Sequence, residues 1–268
     1  MSNLAVICGS GDFPFLFLDE IKNRNIKFKT IVIALIGETN KAIENFGFLT
    51  FWVNIGKLNT IIDIMKTNLV KKAVMCGKVH HTKLFTEVKL DFRAIKLLGS
   101  LINNKADTIL GAVAQELKKE EIELISSLTY MEKWLPNKKG FINNNFNNLT
   151  EDEIYFAFNI AKSIAALDIG QTVATKDKAV IAVEGFEGTD ECILRGYALA
   201  GEGLVIAKVN KPNQDNRFDV PVIGKDTFEI LKNIKAKALV YESGKTLFFN
   251  TEEAIKIANE NKISIFGV

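Results

Sequence analysis

Short apolar runs alternate with helical spacing through the first half of the chain. Leu4–Cys8 is a strand-length apolar run, followed by the turn Gly9-Ser10-Gly11-Asp12. Phe13, Leu16, Phe17 and Ile21 then recur on one face of a helix. Thr30–Ile36, Phe48–Val53 and Lys72–Cys76 predict further strands, with a helix over Leu58–Met65 between the last two. Asp107–Lys119 carries an apolar stripe at Ile109, Leu110, Val113 and Leu117, and Ile122–Ile125 predicts a short strand after it. Strands alternating with helices imply a doubly wound parallel sheet with right-handed crossovers.

The pattern changes after Pro136. Pro136–Thr150 holds two lysines, one glycine and six asparagines, a composition that favours loop. Asn143-Asn144-Asn145 and Asn147-Asn148 are expected to be exposed. Thr150-Glu151-Asp152-Glu153 fits a capping box that opens a helix running to about Leu167. Gln171–Thr175 and Ala179–Glu184, joined through Lys176-Asp177-Lys178, predict a hairpin. Leu204–Val209 and Ala238–Tyr241 are further strands, and Ser243-Gly244 is expected to turn the latter back into Thr246–Phe249. A helix over Thr251–Asn259 and a strand over Ile263–Phe266 close the pattern. The expected fold class is α/β: a parallel-sheet N-terminal domain over 1–136, an Asn-rich linker over 137–150, and a mixed α/β C-terminal domain with antiparallel strands over 151–268.

Composition narrows the function. Lysine plus arginine number 34 against 32 aspartates and glutamates, a net +2, so the basic excess of a nucleic-acid binder is lacking. The longest apolar runs, such as Ile31–Ile36, fall far short of a membrane span. The N-terminus lacks the charged region and long apolar core of a signal peptide. Cys8, Cys76 and Cys192 lie far apart without a Cys-x-x-Cys, which suggests neither a disulfide framework nor a zinc site. The expectation is a soluble protein of a reducing compartment.

Candidate chemistry sits at four places. Gly9, Gly11 and Asp12 follow a strand and open a helix, where free amides and the helix dipole favour a phosphate. Two glycines are equally at home in a plain tight turn, and Pro14 stands where a dinucleotide fingerprint would need its third glycine. Glu38, just after the second strand, resembles the ribose-binding acid of a nicotinamide site. Lys78, beside Gly77, falls at the carboxyl end of a parallel strand, where open α/β sheets take ligands. The neighbouring His80-His81 pair points to opposite sides of an extended chain and reads as a surface turn. Gly188, Thr189 and Asp190 precede the helical pattern Ile193, Leu194, Tyr197, with Arg195 one turn inside. An ordinary N-cap by Thr189 or Asp190 would by itself account for both side chains and is the favoured reading over a phosphate site.

The densest case is Lys211-Pro212-Asn213-Gln214-Asp215-Asn216-Arg217-Phe218-Asp219-Val220-Pro221. Pro221 forces Val220 towards extended geometry, and a single helical turn before it would put Asp215 and Asp219 on one face. Two carboxylates beside Arg217 and Lys211 suit a hydrated magnesium ion held against a diphosphate. A loop with Asx-turns and one surface ion pair is the plainer alternative.

Residues 170–224 resemble the UDP-2,3-diacylglucosamine pyrophosphatases of lipid A biosynthesis, the LpxI family. The motifs are Gly170-Gln171-Thr172-Val173, Val183-Glu184-Gly185-Phe186-Glu187-Gly188-Thr189-Asp190, Lys211-Pro212-Asn213-Gln214-Asp215 and Arg217-Phe218-Asp219-Val220-Pro221-Val222-Ile223-Gly224. Gly9-x-Gly11-x-x-Pro14 and Ala106-Asp107-Thr108-Ile109-Leu110 extend the likeness over nearly the whole chain. Two departures are His80-His81-Thr82, where many relatives carry Arg-Pro, and Lys105-Ala106-Asp107, where they usually show Gly-Asp-Asp.

The resemblance implies a Rossmann-like N-terminal domain, a C-terminal domain, and Mg2+-dependent hydrolysis of UDP-2,3-diacylglucosamine to UMP and 2,3-diacylglucosamine 1-phosphate (lipid X). It implies an essential aspartate matched here to Asp219, with Asp215 the close second, both also the implied metal ligands. Lys208, Lys211, Arg195 and Arg217 are the candidate phosphate clamps, and Gln214 belongs to the same substrate-binding set. The implied partner is a lipid-linked UDP-sugar, at a cytoplasmic location. Peripheral contact with the cytoplasmic face of the inner membrane and a homodimer are accompanying expectations. A nicotinamide-dependent oxidoreductase and a non-catalytic nucleotide-lipid binding protein are the rival readings.

Overall fold

A computed structural model describes residues 3–24, 29–79, 89–101, 106–143, 148–212, 214–217 and 220–268. The chain divides into two compact units, residues 1–131 with 215–219, and residues 132–214 with 220–268.

The first unit is built on five parallel strands in the order β3-β2-β1-β4-β5. These are β1 (Asn3–Cys8), β2 (Thr30–Leu35), β3 (Leu49–Val53), β4 (Val70–Cys76) and β5 (Glu123–Leu124). Order reverses between β1 and β4, whose registered pairs run from Leu4 opposite Lys72 to Cys8 opposite Cys76. β1 and β2 are buried almost throughout, as a sheet covered on both faces requires. Helices α1 (Phe13–Asn23), α2 (Leu58–Thr67), α3 (Phe92–Gly99) and α4 (Ala106–Lys119) connect and cover them. One core packs Ala5, Ile7, Ile31 and Ile33 against Ile62 and Met65 of α2, Leu97 of α3 and Leu117 of α4. Helix α3 was not predicted; Asp91 caps it by accepting from the Ala94 amide at 2.9 Å.

The second unit holds a six-stranded mixed sheet, β6-β13-β11-β9-β7-β8. Its strands are β6 (Gly140–Phe141), β7 (Thr172–Lys176), β8 (Ala179–Val183), β9 (Val205–Lys208), β11 (Ala238–Tyr241) and β13 (Ser264–Gly267). β9, β11 and β13 run parallel, while β7 is antiparallel to both β8 and β9. Helix α5 (Glu151–Ala166) covers one face through Ile154, Ala157, Ala161 and Ala165. Helices α6 (Thr189–Ala200), α7 (Lys225–Asn233) and α8 (Thr251–Glu260) cover the other through Ile193, Phe228, Leu231 and Ala258. The capping box of α5 forms as predicted, with Thr150 Oγ1 accepting from the Glu153 amide and Glu153 accepting from the Thr150 amide.

Three expectations are corrected. Ala238–Tyr241 does not form a hairpin with Thr246–Phe249. β12 (Leu247–Phe248) instead pairs in parallel with β10 (Val222–Ile223), because the turn between them leads the chain out of the sheet and the Leu247 amide binds the Pro221 carbonyl at 2.9 Å. Asn143 is buried rather than exposed, since its carboxamide donates to the Ile263 carbonyl at 2.7 Å and accepts from the Ile265 amide at 2.9 Å. Helix α6 is capped by Gly188 rather than by Thr189 or Asp190, as the next section describes. Asn144, Asn145 and Asn147 lie outside the described residues, as do His80 and His81.

Candidate active site

In the first unit the site elements gather at the carboxyl ends of parallel strands. Gly9 and Ser10 leave β1, and Gly77 and Lys78 leave β4, on either side of the point where strand order reverses, which is where such sheets take ligands. The two loops are bound to each other. Ser10 N–H donates to the Lys78 carbonyl at 2.7 Å, Lys78 N–H returns a bond to the Ser10 carbonyl at 3.0 Å, and the Gly9 amide donates to the Cys76 carbonyl at 2.8 Å. A Cβ at Gly9 would collide with the Lys78 carbonyl oxygen, and one at Gly77 would lie 2.6 Å from the Ser10 carbonyl oxygen. These two glycines therefore answer a close backbone approach. The amides of Gly9 and Ser10 are spent on the sheet edge, which leaves Gly11, Asp12 and the start of α1 as the part of that loop open to a ligand. Gly11 sits at φ +86°, and Asp12 precedes α1 with no side-chain cap bond. Lys78 is exposed, with no ion-pair partner among the described residues.

The Asp215–Asn216–Arg217 segment belongs to this unit. The Asn216 carbonyl accepts from the Ser127 amide at 2.9 Å and from the Ser126 and Ser127 hydroxyls, each at 3.0 Å. Ser126 and Ser127 follow β5, so the segment is fastened at the same edge of the sheet as Gly9 and Lys78. Arg217 Nε donates to Asp215 at 2.8 and 3.0 Å, and the Arg217 amide donates to Asp215 Oδ1 at 3.1 Å. The guanidinium bonds hold the Asp215 carboxyl below the usual carboxylate range. Asp219 and Phe218 lie outside the described residues.

In the second unit, the remaining predicted residues sit around β7, β9 and the start of α6. Gly188 is the N-cap of α6 with φ +88°, and no side chain caps the helix. Thr189 instead donates its hydroxyl to Glu184 Oε1 at 3.2 Å and lies 3.2 Å from the Thr172 hydroxyl. Its side chain thus ties the helix start to β7 and to the end of β8. Asp190 stands in the first turn, where a carboxylate complements the helix dipole. Arg195 donates to the Val183 carbonyl at 2.8 Å and pairs with Glu187, whose hydrogen bond raises the guanidinium above its already high ordinary value. Lys208 Nζ donates to the Val222 carbonyl at 2.8 Å. Lys211 pairs with Asp168 at 2.8 Å, and its amide donates to Gln214 Oε1 at 2.9 Å. Every one of these cations already has a partner in the protein, so a phosphate would join or replace an existing contact.

Four groups that the sequence reading missed lie at the same end of the second sheet. Glu242, directly after β11, accepts at Oε2 from Lys162 Nζ of α5 at 2.9 Å and from the Asn210 amide at 3.0 Å. Lys162 also donates to the Asn210 carbonyl at 2.9 Å, and Lys245 reaches Glu242 Oε1 at 2.8 Å. Burial alone would raise the Glu242 carboxyl, but bonds from Lys245, Lys162 and the Asn210 amide outweigh it and hold it low. Two further polar atoms nearby in sequence, Asn210 Oδ1 and Gln214 Nε2, are buried with no hydrogen-bond partner among the described residues. Each such atom costs about 1–3 kcal/mol. Position was the sequence signal for Asn210 and Glu242, as for Ser126 and Ser127 of the first unit, since all four follow strands at the carboxyl edge of their sheet; Lys162, inside α5, carried no such signal.

Among the described residues, no group of three or more His, Cys, Asp or Glu side chains is arranged to hold a metal. Asp215 and Asn216 Oδ1, which has no hydrogen-bond partner among the described residues, are hard oxygen donors of the kind magnesium prefers. No helix among the described residues is long and apolar enough to cross a membrane.

The fold and these edges define a two-unit α/β protein whose charged and polar groups collect at the carboxyl ends of parallel strands, a setting suited to phosphorylated ligands. The LpxI N-terminal domain model matches residues 3–134, and the LpxI C-terminal domain model matches residues 138–266. The chain belongs to the LpxI family. It is similar to the UDP-2,3-diacylglucosamine pyrophosphatase LpxI of Caulobacter vibrioides, at 30% identity over 282 aligned residues that take in 100% of this chain and 98% of that protein. Among solved structures, an L-amino acid ligase from Bacillus licheniformis aligns at 13% identity and a TM-score of 0.21, over 70% of this chain and 40% of that one, a likeness too weak to bear on fold or function.

Proposed function

We propose that this chain hydrolyses the diphosphate of UDP-2,3-diacylglucosamine to UMP and 2,3-diacylglucosamine 1-phosphate in lipid A biosynthesis. The observation that carries the reading is the anchoring of Asp215–Arg217 beside Ser126 and Ser127, at the sheet edge that also carries Gly9–Asp12 and Lys78. Full-length similarity to a relative named for that reaction supplies the substrate.

A diphosphate bridge has a good leaving group, but its negative charge repels attacking water. Lys78 and the Arg217 guanidinium reduce that repulsion and stabilise charge on the transferring phosphoryl oxygens. Gly11, Asp12 and the first turn of α1 receive a phosphate through amides not used by the sheet. Asp219 orients the water or holds a metal, with Asp215 as the second carboxylate, once Arg217 turns to the substrate. Magnesium, held by those carboxylates, would supply charge neutralisation at the diphosphate. Gly188, Thr189, Asp190, Arg195, Lys208, Lys211 and Gln214 belong to the proposed substrate-binding set, with Arg195, Lys208 and Lys211 as its candidate phosphate clamps. A cytoplasmic enzyme touching the inner membrane peripherally suits a lipid product, since each buried methylene is worth about 0.8 kcal/mol.

The nicotinamide reading has less support, because Pro14 stands in place of the third fingerprint glycine and the family is named for a pyrophosphatase. The test is UMP release from the lipid nucleotide, in magnesium and then in excess chelator, for the unaltered chain and for Asp219→Ala. Turnover abolished by chelator and by the substitution, with lipid-nucleotide binding retained, is expected. Undiminished turnover in Asp219→Ala overturns the assignment of that aspartate, and undiminished turnover in chelator overturns the metal.

A further inference from the structure

We propose that Ser126 and Ser127 are positioning residues for the hydrolytic reaction, placing the Asp215 carboxylate through the single peptide group that joins Asn216 to Arg217. The inference rests on the proposed role of Asp215 at the diphosphate, and all of its residues belong to the first unit.

A peptide group is planar, so its carbonyl and its N–H point in opposite directions and turn together. Here both ends are held. The Asn216 carbonyl accepts from the Ser127 amide at 2.9 Å and from the Ser126 and Ser127 hydroxyls at 3.0 Å each. The N–H of the same group, that of Arg217, donates to Asp215 Oδ1 at 3.1 Å. The serines are themselves fixed. The Ile125 amide donates to the Ala73 carbonyl of β4 at 2.9 Å, and the Ser126 hydroxyl accepts from the Leu128 amide at 3.1 Å, which leaves its own hydrogen for Asn216. A run of hydrogen bonds thus leads from the sheet edge to the carboxylate, through described residues throughout.

Two facts argue that this arrangement serves chemistry and not folding alone. A carbonyl oxygen has two lone pairs, and one bond is enough to fasten a loop. Three donors nevertheless converge on Asn216, one of them the hydroxyl of the fully buried Ser127. The second fact is the identity of the other partner of Asp215. Arg217 Nε donates to that carboxylate at 2.8 and 3.0 Å, and this is the side chain that the reaction draws towards the diphosphate. Once it turns, the backbone N–H is the bond from Arg217 that still holds Asp215, and the serines set its direction. Donation to the carbonyl also polarises the peptide and strengthens the N–H on its far side as a donor.

The experiment uses the full chain. Ser126→Ala, Ser127→Ala, their double variant and Ser126→Thr are assayed for UMP release from the lipid nucleotide, beside thermal melting. All four keep the Ser127 amide bond, so the segment stays fastened while the direction of its peptide group is freed. A misplaced reacting group costs rate more than binding, so the double variant is expected to lose about tenfold in kcat with KM little changed. Each alanine single variant should lose less, and Ser126→Thr, which keeps the hydroxyl, should stay close to the unaltered chain. Exchange of the Arg217 amide proton, followed by NMR without substrate, should quicken about tenfold in the double variant as the bond to Asp215 loosens. Normal kcat in the double variant well below its melting temperature overturns the proposal, as do a loss confined to KM and a Ser126→Thr as slow as Ser126→Ala. Unchanged Arg217 exchange overturns the coupling through the peptide group. Should the double variant not fold, the alanine single variants decide on the same readings. Absence of UMP release from the unaltered chain overturns the parent reading of the substrate, and Arg217 exchange still judges the placement of Asp215.

Discussion

At Gly9 the backbone of one loop lies against the carbonyl of another, and only hydrogen fits between them. Gly9→Ala forces Lys78 and its strand end to move, so a loss of about 1–3 kcal/mol is expected, the usual cost of overpacking. Urea denaturation measures it, and an unchanged midpoint would show that the loops separate freely. The sequence made this glycine visible as a turn and a candidate phosphate cradle. It did not show that Lys78, 69 positions away, supplies the backbone that excludes a side chain. The cations tell the same story. Arg195, Lys211 and Arg217 were legible as charges in a diphosphate-like setting, yet their partners Glu187, Asp168 and Asp215 emerge only from the folded geometry. Side-chain identity is local information, and pairing depends on rotamers and on neighbours brought in by other elements.

The β7–β8 hairpin and the capping box of α5 were readable because their determinants are contiguous, whereas the second predicted hairpin and the side-chain cap of α6 did not form. β7 and β8 pair around Asp177 and Lys178 with φ of 49° and 60°, the two left-handed residues of a type I′ turn. A lysine pays for that conformation while glycine adopts it freely. Lys178→Gly is expected to stabilise the second unit by about 0.5–1 kcal/mol, net of the greater chain entropy of glycine when unfolded. The exposed Lys178–Asp152 contact at 3.4 Å that it removes is worth little. Chemical denaturation with a probe in this unit decides it, and a lowered midpoint would mean that the ion pair outweighs the turn. Helix α7 went unread because Lys225-Asp226-Thr227-Phe228-Glu229 offers a thin apolar stripe, and its burial comes from packing on the second core. β10 and β12 are two residues each, too short for periodicity to register.

On the scale of the whole molecule, each unit has its own buried core and its own buried thiols. Cys8 and Cys76 lie in the first unit and Cys192 in the second, all free and buried. Burial pushes the thiols of Cys8 and Cys192 up to about 12 and that of Cys76 well above its ordinary value. In native buffer at pH 8 none of the three should react with a thiol reagent on the timescale of minutes, since the thiolate is the nucleophile. All three should label in denaturant, so the modified positions report the opening of each unit separately. A thiol that labels rapidly in the folded protein would contradict the packing described.

The sequence by itself determined the alternation of strand and helix in the first half, the hairpin and capping box of the second, and the motifs that mark the LpxI family. Those follow from apolar spacing and turn chemistry, which are written over a few consecutive residues. Only the tertiary structure decided that residues 215–219 join the first unit, with Asn216 bound to serines 89 and 90 positions earlier. It alone gathered Glu242 and Lys162 around Asn210, across separations of 32 and 48 positions. Such contacts are selected by chain closure and burial over the whole molecule, and no local pattern encodes them.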